Sequence, residues 1–151
     1  MVLEGMKSIY VIGSLRNPNI PSIGNAIRTI GFEAFDDWHS AGPTADDEWQ
    51  RYERECGRSY GEALRGYAAK NVFAFDKKHL DRCDAAVLVM PAGKSGHLEL
   101  GYMLGKGKIG YVLFDQEPER WDVMYQFADV VFFSGEEFLE YLRVVKGLQG
   151  G

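Results

Sequence analysis

Two stretches of the chain are apolar without alternation: residues 85–90 (AAVLVM) and 109–114 (IGYVLF). Unbroken apolar runs of this length belong to strands covered on both faces, as in a parallel sheet. Between them lie a loop of small residues and a helix predicted from Gly96 to Gly105, with Leu100, Met103 and Leu104 on one face. The three pieces read as a βαβ unit, and the rest of the chain extends it. Residues 8–12 form a short β-branched strand after a frayed start over residues 1–7. A helix follows over 20–30 and ends at Gly31, and a second strand covers 32–35. Residues 46–70 read as two helical pieces broken near Gly57, placed as a cap over the sheet edge. Residues 71–83 give a third helical segment whose buried side is expected to carry Val72, Phe73, Phe75, His79 and Leu80. Residues 128–133 form a fifth strand, and 135–148 a terminal amphipathic helix with Phe138, Leu139, Leu142 and Val145 inward. The pattern predicts one domain over residues 1–151. Its expected fold is an α/β three-layer sandwich, a five-stranded parallel (flavodoxin- or Rossmann-like) sheet with helices on both faces.

Composition narrows the function more than the fold. A chain of 151 residues with 46% apolar and 26% charged residues has the make-up of one globular domain. A net charge of −5 gives no basic stripe for a nucleic-acid polymer. No apolar run is long enough to span a membrane, and the start lacks the features of a signal peptide, so a cytoplasmic location is expected. Cys56 and Cys83 stand without metal-type spacing and read as reduced thiols. His39 and His79 likewise lack partners at ligand spacing, so neither a metal nor a cofactor is expected.

Candidate chemistry gathers at the carboxyl ends of the strands, where open α/β sheets bind ligands. After Pro91, Gly93 and Gly96 allow a sharp turn and close backbone approach. Glu99 is placed in the first turn of the following helix, where the dipole favours an ionised carboxylate. The alternative for Glu99 is a dipole partner and nothing more. Gly13-Ser14-Leu15-Arg16 joins a strand to a helix N-terminus, a site suited to an anion, with Arg16 able to grip a phosphate in bidentate fashion. An ordinary turn with a solvated Arg16 fits that stretch equally. Asp36, Asp37, Trp38 and His39 leave the second strand towards the ligand edge. Trp38 has two roles open to it: stacking on a nucleobase, or packing under the next helix. Asp84 falls at the opposite, amino edge, where a structural turn role is expected. Asp76 sits mid-helix with no local reason for its position. Two carboxylates in one cleft suit chemistry at an anomeric carbon.

The segment Pro91…Ser95-Gly96-x-x-Glu99-Leu100-Gly101, a strand carrying Ile9-Tyr10, and Asp76 placed 8 residues before Asp84 together resemble the nucleoside 2-deoxyribosyltransferase superfamily. That superfamily includes the 2-deoxynucleoside 5′-monophosphate N-glycosidases, and the resemblance runs over about residues 9–133. It implies a covalent mechanism. Glu99 would attack C1′ of the deoxyribosyl group, Asp76 would protonate the departing base, and Tyr10 would position the Glu99 carboxylate. Gly13, Ser14 and Arg16 would hold a 5′-phosphate, with Ser95 as a further contact. Lys94 and Gly96 in the same loop, and Asp37 and Trp38 at the ligand edge, join them as substrate-binding candidates by position. The sugar would pass to another nucleobase or to water. Transferases carry an aspartate six residues before the nucleophile; here that position is Gly93, followed by Lys94, which favours a phosphorylated substrate. The resemblance also implies a homo-oligomer, a dimer or higher, because a neighbouring subunit contributes to the transferase site. Two other readings stand beside it: a nucleotide-binding or sensing module without turnover, and a hydrolase of a nicotinamide dinucleotide.

Overall fold

Five parallel strands pair in the order β2-β1-β3-β4-β5. They are β1 (Ser8–Ile12), β2 (Glu33–Phe35), β3 (Ala85–Val89), β4 (Ile109–Leu113) and β5 (Val130–Phe132). The computed structural model describes residues 2–150. Six α-helices connect and cover the strands: α1 (Ile20–Ile30), α2 (Ala45–Glu55), α3 (Tyr60–Leu64), α4 (Tyr67–Arg82), α5 (Lys94–Gly105) and α6 (Gly135–Gly150). Strand alternation sorts the core into two layers. Ile9, Val11, Val87 and Tyr111 pack with Ile20 and Ile27 of α1 and Phe138 and Leu142 of α6. Tyr10, Ile12, Ala86, Leu88 and Val112 pack with Leu80 of α4 and Leu100 and Met103 of α5. This is the expected three-layer α/β sandwich. The strand order reverses between β1 and β3, so the crevice at their carboxyl ends is the natural ligand position.

Local features explain the main boundaries. Gly31 closes α1 at φ 118°, returning its N–H to the carbonyls of Ile27 and Arg28, a conformation that side chains with a Cβ resist. At the amino edge, Asp84 accepts from the backbone N–H groups of Lys7 and Ser8 and from the Ser8 hydroxyl, tying β1 to the start of β3. That is the structural turn role expected of it. The Lys108 ammonium donates to the carbonyl oxygens of Leu80, Asp81 and Cys83, filling the open C-terminal end of α4.

Several expectations are corrected. The N-terminal stretch is not frayed over its described part: Val2–Gly5 forms a 3₁₀ turn and Met6 is fully buried. The Gln149 amide holds it by donating to the carbonyls of Leu3 and Met6. α4 starts at Tyr67, four residues ahead of the predicted 71. Its expected buried side is largely on the surface, with Val72 61%, Phe73 66% and Phe75 47% exposed, and only Leu80 of that set fully in the core. α5 starts at Lys94 rather than Gly96, which moves Glu99 out of the first turn and into the second. The residues of α2 and α3 have a small centre of their own: Glu53 is buried against Arg58, and Trp49 packs edge-on to Tyr60. No helix among the described residues is long and apolar enough to cross a membrane.

Candidate active site

Side chains from β1 and α5 meet on the face of the sheet that α4 and α5 cover, and the charge of Asp76 on α4 acts on both. Tyr10 is buried in mid-strand, level with the small Ala86 of β3 and with Phe35 of β2. Its hydroxyl reaches across the layer and donates to Glu99 Oε2 at 3.3 Å. Glu99 is half-buried in the second turn of α5, and its charge is felt by Tyr10 together with that of Asp76 of α4. Packing brings the helix that carries Glu99 so close. A Cβ on Gly96 would fall 2.9 Å from Leu88 Cδ1 and 3.3 Å from Ala92 and Ile12, so a side chain there would have to push Leu88 aside for the first turn of α5 to lie this close to β1 and β3.

The electrostatics of the cluster differ from the sequence expectation. Burial, followed by the negative charge of Asp76, raises the Glu99 carboxyl to about 7, against the lowering effect of the Tyr10 hydrogen bond. Asp76 is raised as well, by burial. Desolvation and a like charge therefore outweigh any help from the helix dipole, which fades beyond the first turn. Glu99 does not simply stay ionised. The two carboxyls titrate as a coupled pair that keeps a proton into the neutral range. Burial first, then the charges of Glu99 and Asp76, lift the Tyr10 phenol far above its usual range, so it remains a donor.

An aromatic wall stands behind Tyr10 that sequence reasoning did not assemble. Phe35 lies 5.1 Å from the Tyr10 ring, and His79 stacks on Phe35 at 3.9 Å with the rings 11° apart. Phe75 closes on both. The Arg82 Nε donates to His79 Nδ1 at 2.7 Å, and the guanidinium bonds to Glu33. Burial and then the Arg82 charge push the His79 pKa down. The available signal was the spacing of Phe75, Asp76 and His79 along one helix.

The loops at the carboxyl edge hold the other candidates. Gly13 and Ser14 leave β1 half-buried, and Ser14 Oγ accepts the Arg16 N–H at 3.1 Å. The exposed Arg16 guanidinium turns to Asp47 of α2, at 3.2 Å, rather than towards the carboxyl pair. Lys94 and Ser95 are exposed at the start of α5, beside the buried Gly96. Asp37 is exposed and opens the 3₁₀ turn Asp37–Ala41. Trp38 packs against both halves of the core, and its indole N–H donates to the Val11 carbonyl at 2.7 Å. His39 Nε2 reaches the Asn17 carbonyl at 2.8 Å. The turn after β2 thus braces the loop after β1. Of the roles open to Trp38, packing is the one seen in this structure.

A separate groove of about 600 Å³ runs along α5 beside the 3₁₀ turn Val123–Phe127, lined by Leu100, Leu104, Met124 and Phe127 among others. Tyr10, Asp76 and Glu99 do not line it. No group of three or more His, Cys, Asp or Glu side chains able to hold a metal ion occurs among the described residues.

Fold and cluster together define a five-stranded parallel α/β sandwich with two coupled carboxyls and a tyrosine beside its topological switch point. No family model matches the chain, and no curated protein matches it by sequence. Among solved structures it is similar to a conserved protein from Enterococcus faecalis V583, with TM-score 0.64, 15% identity, and coverage of 93% of this chain and 99% of that one. It is also similar to the CMP N-glycosidase BcmB of Clostridium botulinum, with TM-score 0.56, 14% identity, and coverage of 90% of this chain and 98% of that one. At these identities the likeness is one of fold.

Proposed function

We propose that this chain cleaves the N-glycosidic bond of a nucleoside or nucleoside 5′-monophosphate, with a 2-deoxy sugar preferred. The observation that carries this reading is the Tyr10 hydroxyl on the Glu99 carboxyl, with a second carboxyl, Asp76, close enough to raise the Glu99 pKa. The likeness in fold to a CMP N-glycosidase supports it. Glu99 attacks C1′ as the bond from C1′ to the base nitrogen breaks. The electron pair leaves with the base, which takes, through Asp76, the one proton that the two carboxyls share. The positive character that develops at C1′ is stabilised by the Glu99 carboxylate beneath it, and the lack of a 2′-hydroxyl makes it easier to form. Water or a second base then attacks C1′ of the glutamyl ester. Asp76 takes the proton released in that step, and Glu99 leaves as carboxylate.

Gly13, Ser14 and Arg16 hold the 5′-phosphate in this scheme, with Lys94, Ser95 and Gly96 at the start of α5 as further donors. The phosphate displaces Asp47 from Arg16. Asp37 and Trp38 border the base. Exposed aromatic side chains on α3 and α4, Tyr60, Tyr67 and Phe73, support association with a second copy of the chain.

The test is chromatography of the products from deoxynucleosides and their 5′-monophosphates, each with and without a free acceptor base. Free base released without an acceptor establishes hydrolysis; a new nucleoside formed only with an acceptor establishes transfer. Tight binding without either product overturns the reading in favour of a nucleotide-binding module.

A further inference from the structure

Asp76 lies on a helix that the body of the protein holds at one end only. Before Asp76, α4 presents Tyr67, Val72 and Phe73 to the surface, with Tyr67 95% exposed. After it come the ties already described: His79 stacked on Phe35, Arg82 on Glu33, and Lys108 in the C-terminal carbonyls. Those ties run to β2 and to the start of β4. None of them joins α4 to α5, the helix that carries Glu99.

At that junction Leu80 packs in the same core layer as Leu100 and Met103, and Asp81 supplies the hydrogen bonds. The Tyr102 hydroxyl of α5 donates to Asp81 Oδ1, and Lys106, at the C-cap of α5, reaches the same oxygen at 3.2 Å. Lys77 donates to Asp81 Oδ2 at 2.8 Å, one helical turn earlier on α4. The Lys77 and Lys106 ammonium groups lie 5.6 and 5.2 Å from the centre of the Tyr102 ring. Hydrogen bonds from Lys77 and then Tyr102 hold the Asp81 carboxyl well below the usual carboxylate range, so the cluster stays charged wherever an enzyme assay is run. Asp81 follows Asp76 by five residues, and Tyr102 follows Glu99 by three. The clamp therefore closes about one turn beyond each of the two carboxyls, on the same pair of helices.

We infer that the Asp81–Tyr102 clamp sets the separation of the Asp76 and Glu99 carboxyls, so that Asp81 and Tyr102 are positioning residues for glycosidic cleavage. The inference rests on the function proposed above. Neither residue touches the substrate in that scheme. Both act by keeping Asp76 within reach of the departing base and close enough to Glu99 for the pair to share a proton. The groups that face Glu99 are Tyr10 from β1 and Asp76 from α4. Those that face Asp81 are Lys77, Tyr102 and Lys106. Release of the clamp thus weakens one interaction of Glu99, with Asp76, and leaves the other, with Tyr10, in place.

The test is a pH titration of the Glu99 carboxyl by carbon-13 NMR in the wild type, Tyr102→Phe, Asp81→Asn and Asp76→Asn, with steady-state kinetics on the same samples. In Tyr102→Phe the Glu99 midpoint is expected to fall in the same direction as in Asp76→Asn. Over the same change kcat drops ten- to a hundredfold, about what a misplaced catalytic group costs, and KM changes less than threefold. Asp81→Asn serves as the second variant should Tyr102→Phe fail to fold. A lowered melting temperature with an unmoved Glu99 midpoint in the folded clamp variants, while Asp76→Asn does move it, overturns the clamp and leaves the carboxyl pair standing. A midpoint that Asp76→Asn itself does not move means the carboxyls are uncoupled. The clamp then falls together with the catalytic pair.

Discussion

The Tyr10 hydroxyl and the Glu99 carboxylate meet at 3.3 Å although 89 positions separate them in the chain. The contact joins the second strand of the sheet order to the helix that follows the third. It is therefore made only when the switch point of the fold has closed, and the site and the tertiary structure form in one event.

Tyr10→Phe keeps the ring that packs on Phe35 and Ala86 and removes the donor. Activity is expected to fall ten- to a hundredfold, the range typical for loss of one aimed hydrogen bond. Because the Tyr10 bond lowers the Glu99 pKa, its loss should also raise the Glu99 titration midpoint. Kinetics and carbon-13 titration of the variant check both. Full activity would remove Tyr10 from the mechanism.

The pair needs one negative charge to attack and one proton to give. Above about 7, where Glu99 ionises beside an already charged Asp76, no proton is left for the base. kcat/KM should accordingly be bell-shaped, with its alkaline limb near 7. In Asp76→Asn that limb should vanish and the remaining rate should fall by two to four orders of magnitude, about the worth of general acid catalysis. A rate that climbs through neutrality to a plateau would show that proton donation is not needed.

Glu99 also carries a stability cost. Its folded pKa, about 7, lies above the ordinary 4.5, so the folded state holds that proton more tightly than the unfolded chain. The associated stability is full below 4.5 and is lost as the pH rises through about 7. At roughly 1.4 kcal/mol per unit, full ionisation removes about 3 kcal/mol, an upper figure because water entry softens it. Glu99→Gln should therefore raise the melting temperature at pH 8 by on the order of 5 °C, and by little near pH 4.5. Calorimetry at the two pH values decides it; equal shifts would mean that Glu99 is not strained by its surroundings.

Arg16 and Asp47 predict effects of opposite sign. Arg16→Ala should raise KM for a 5′-monophosphate about ten- to a hundredfold and leave the bare nucleoside unaffected, with the loss smaller at high salt. Asp47→Asn frees the guanidinium from its partner and should lower KM for the monophosphate. Parallel behaviour of nucleoside and monophosphate in both variants would remove the phosphate from this loop.

Much of the architecture was legible because it rests on local pattern. The unbroken runs that became β3 and β4 and the glycine that ends α1 are decided within a few residues. Val72, Phe73 and Phe75 show where this stops. Their spacing marks an apolar stripe on a helix, yet a stripe does not say what covers it, and in this structure little does. The ionisation of Glu99 was misjudged for a related reason. A helix start is a sequence signal, whereas the burial and the Asp76 charge that win come from other elements. Trp38 had two roles open to it, and its tie to the Val11 carbonyl, 27 residues away, could not be read from its neighbours in the chain. The order of Tyr10, Asp76 and Glu99 along the chain named three residues whose charges act on one another in the fold, but the Asp81–Tyr102 contact left no mark in the sequence.

The one-sided anchoring of α4 has a consequence for how the molecule breathes. Amide protons in the stretch after Asp76 belong to the part of the helix pinned by Asp81, His79, Arg82 and Lys108. Those before Phe75 belong to a stretch whose side chains Tyr67, Val72 and Phe73 lie at the surface. Hydrogen exchange along α4 should fall off as a gradient, fast at the Tyr67 end and slow at the Arg82 end, with Asp76 on the slope. A proton donor mounted where a helix passes from fraying to firm is present only as often as that turn is wound. Whatever settles on the exposed half of α4 will raise the fraction of molecules ready to react.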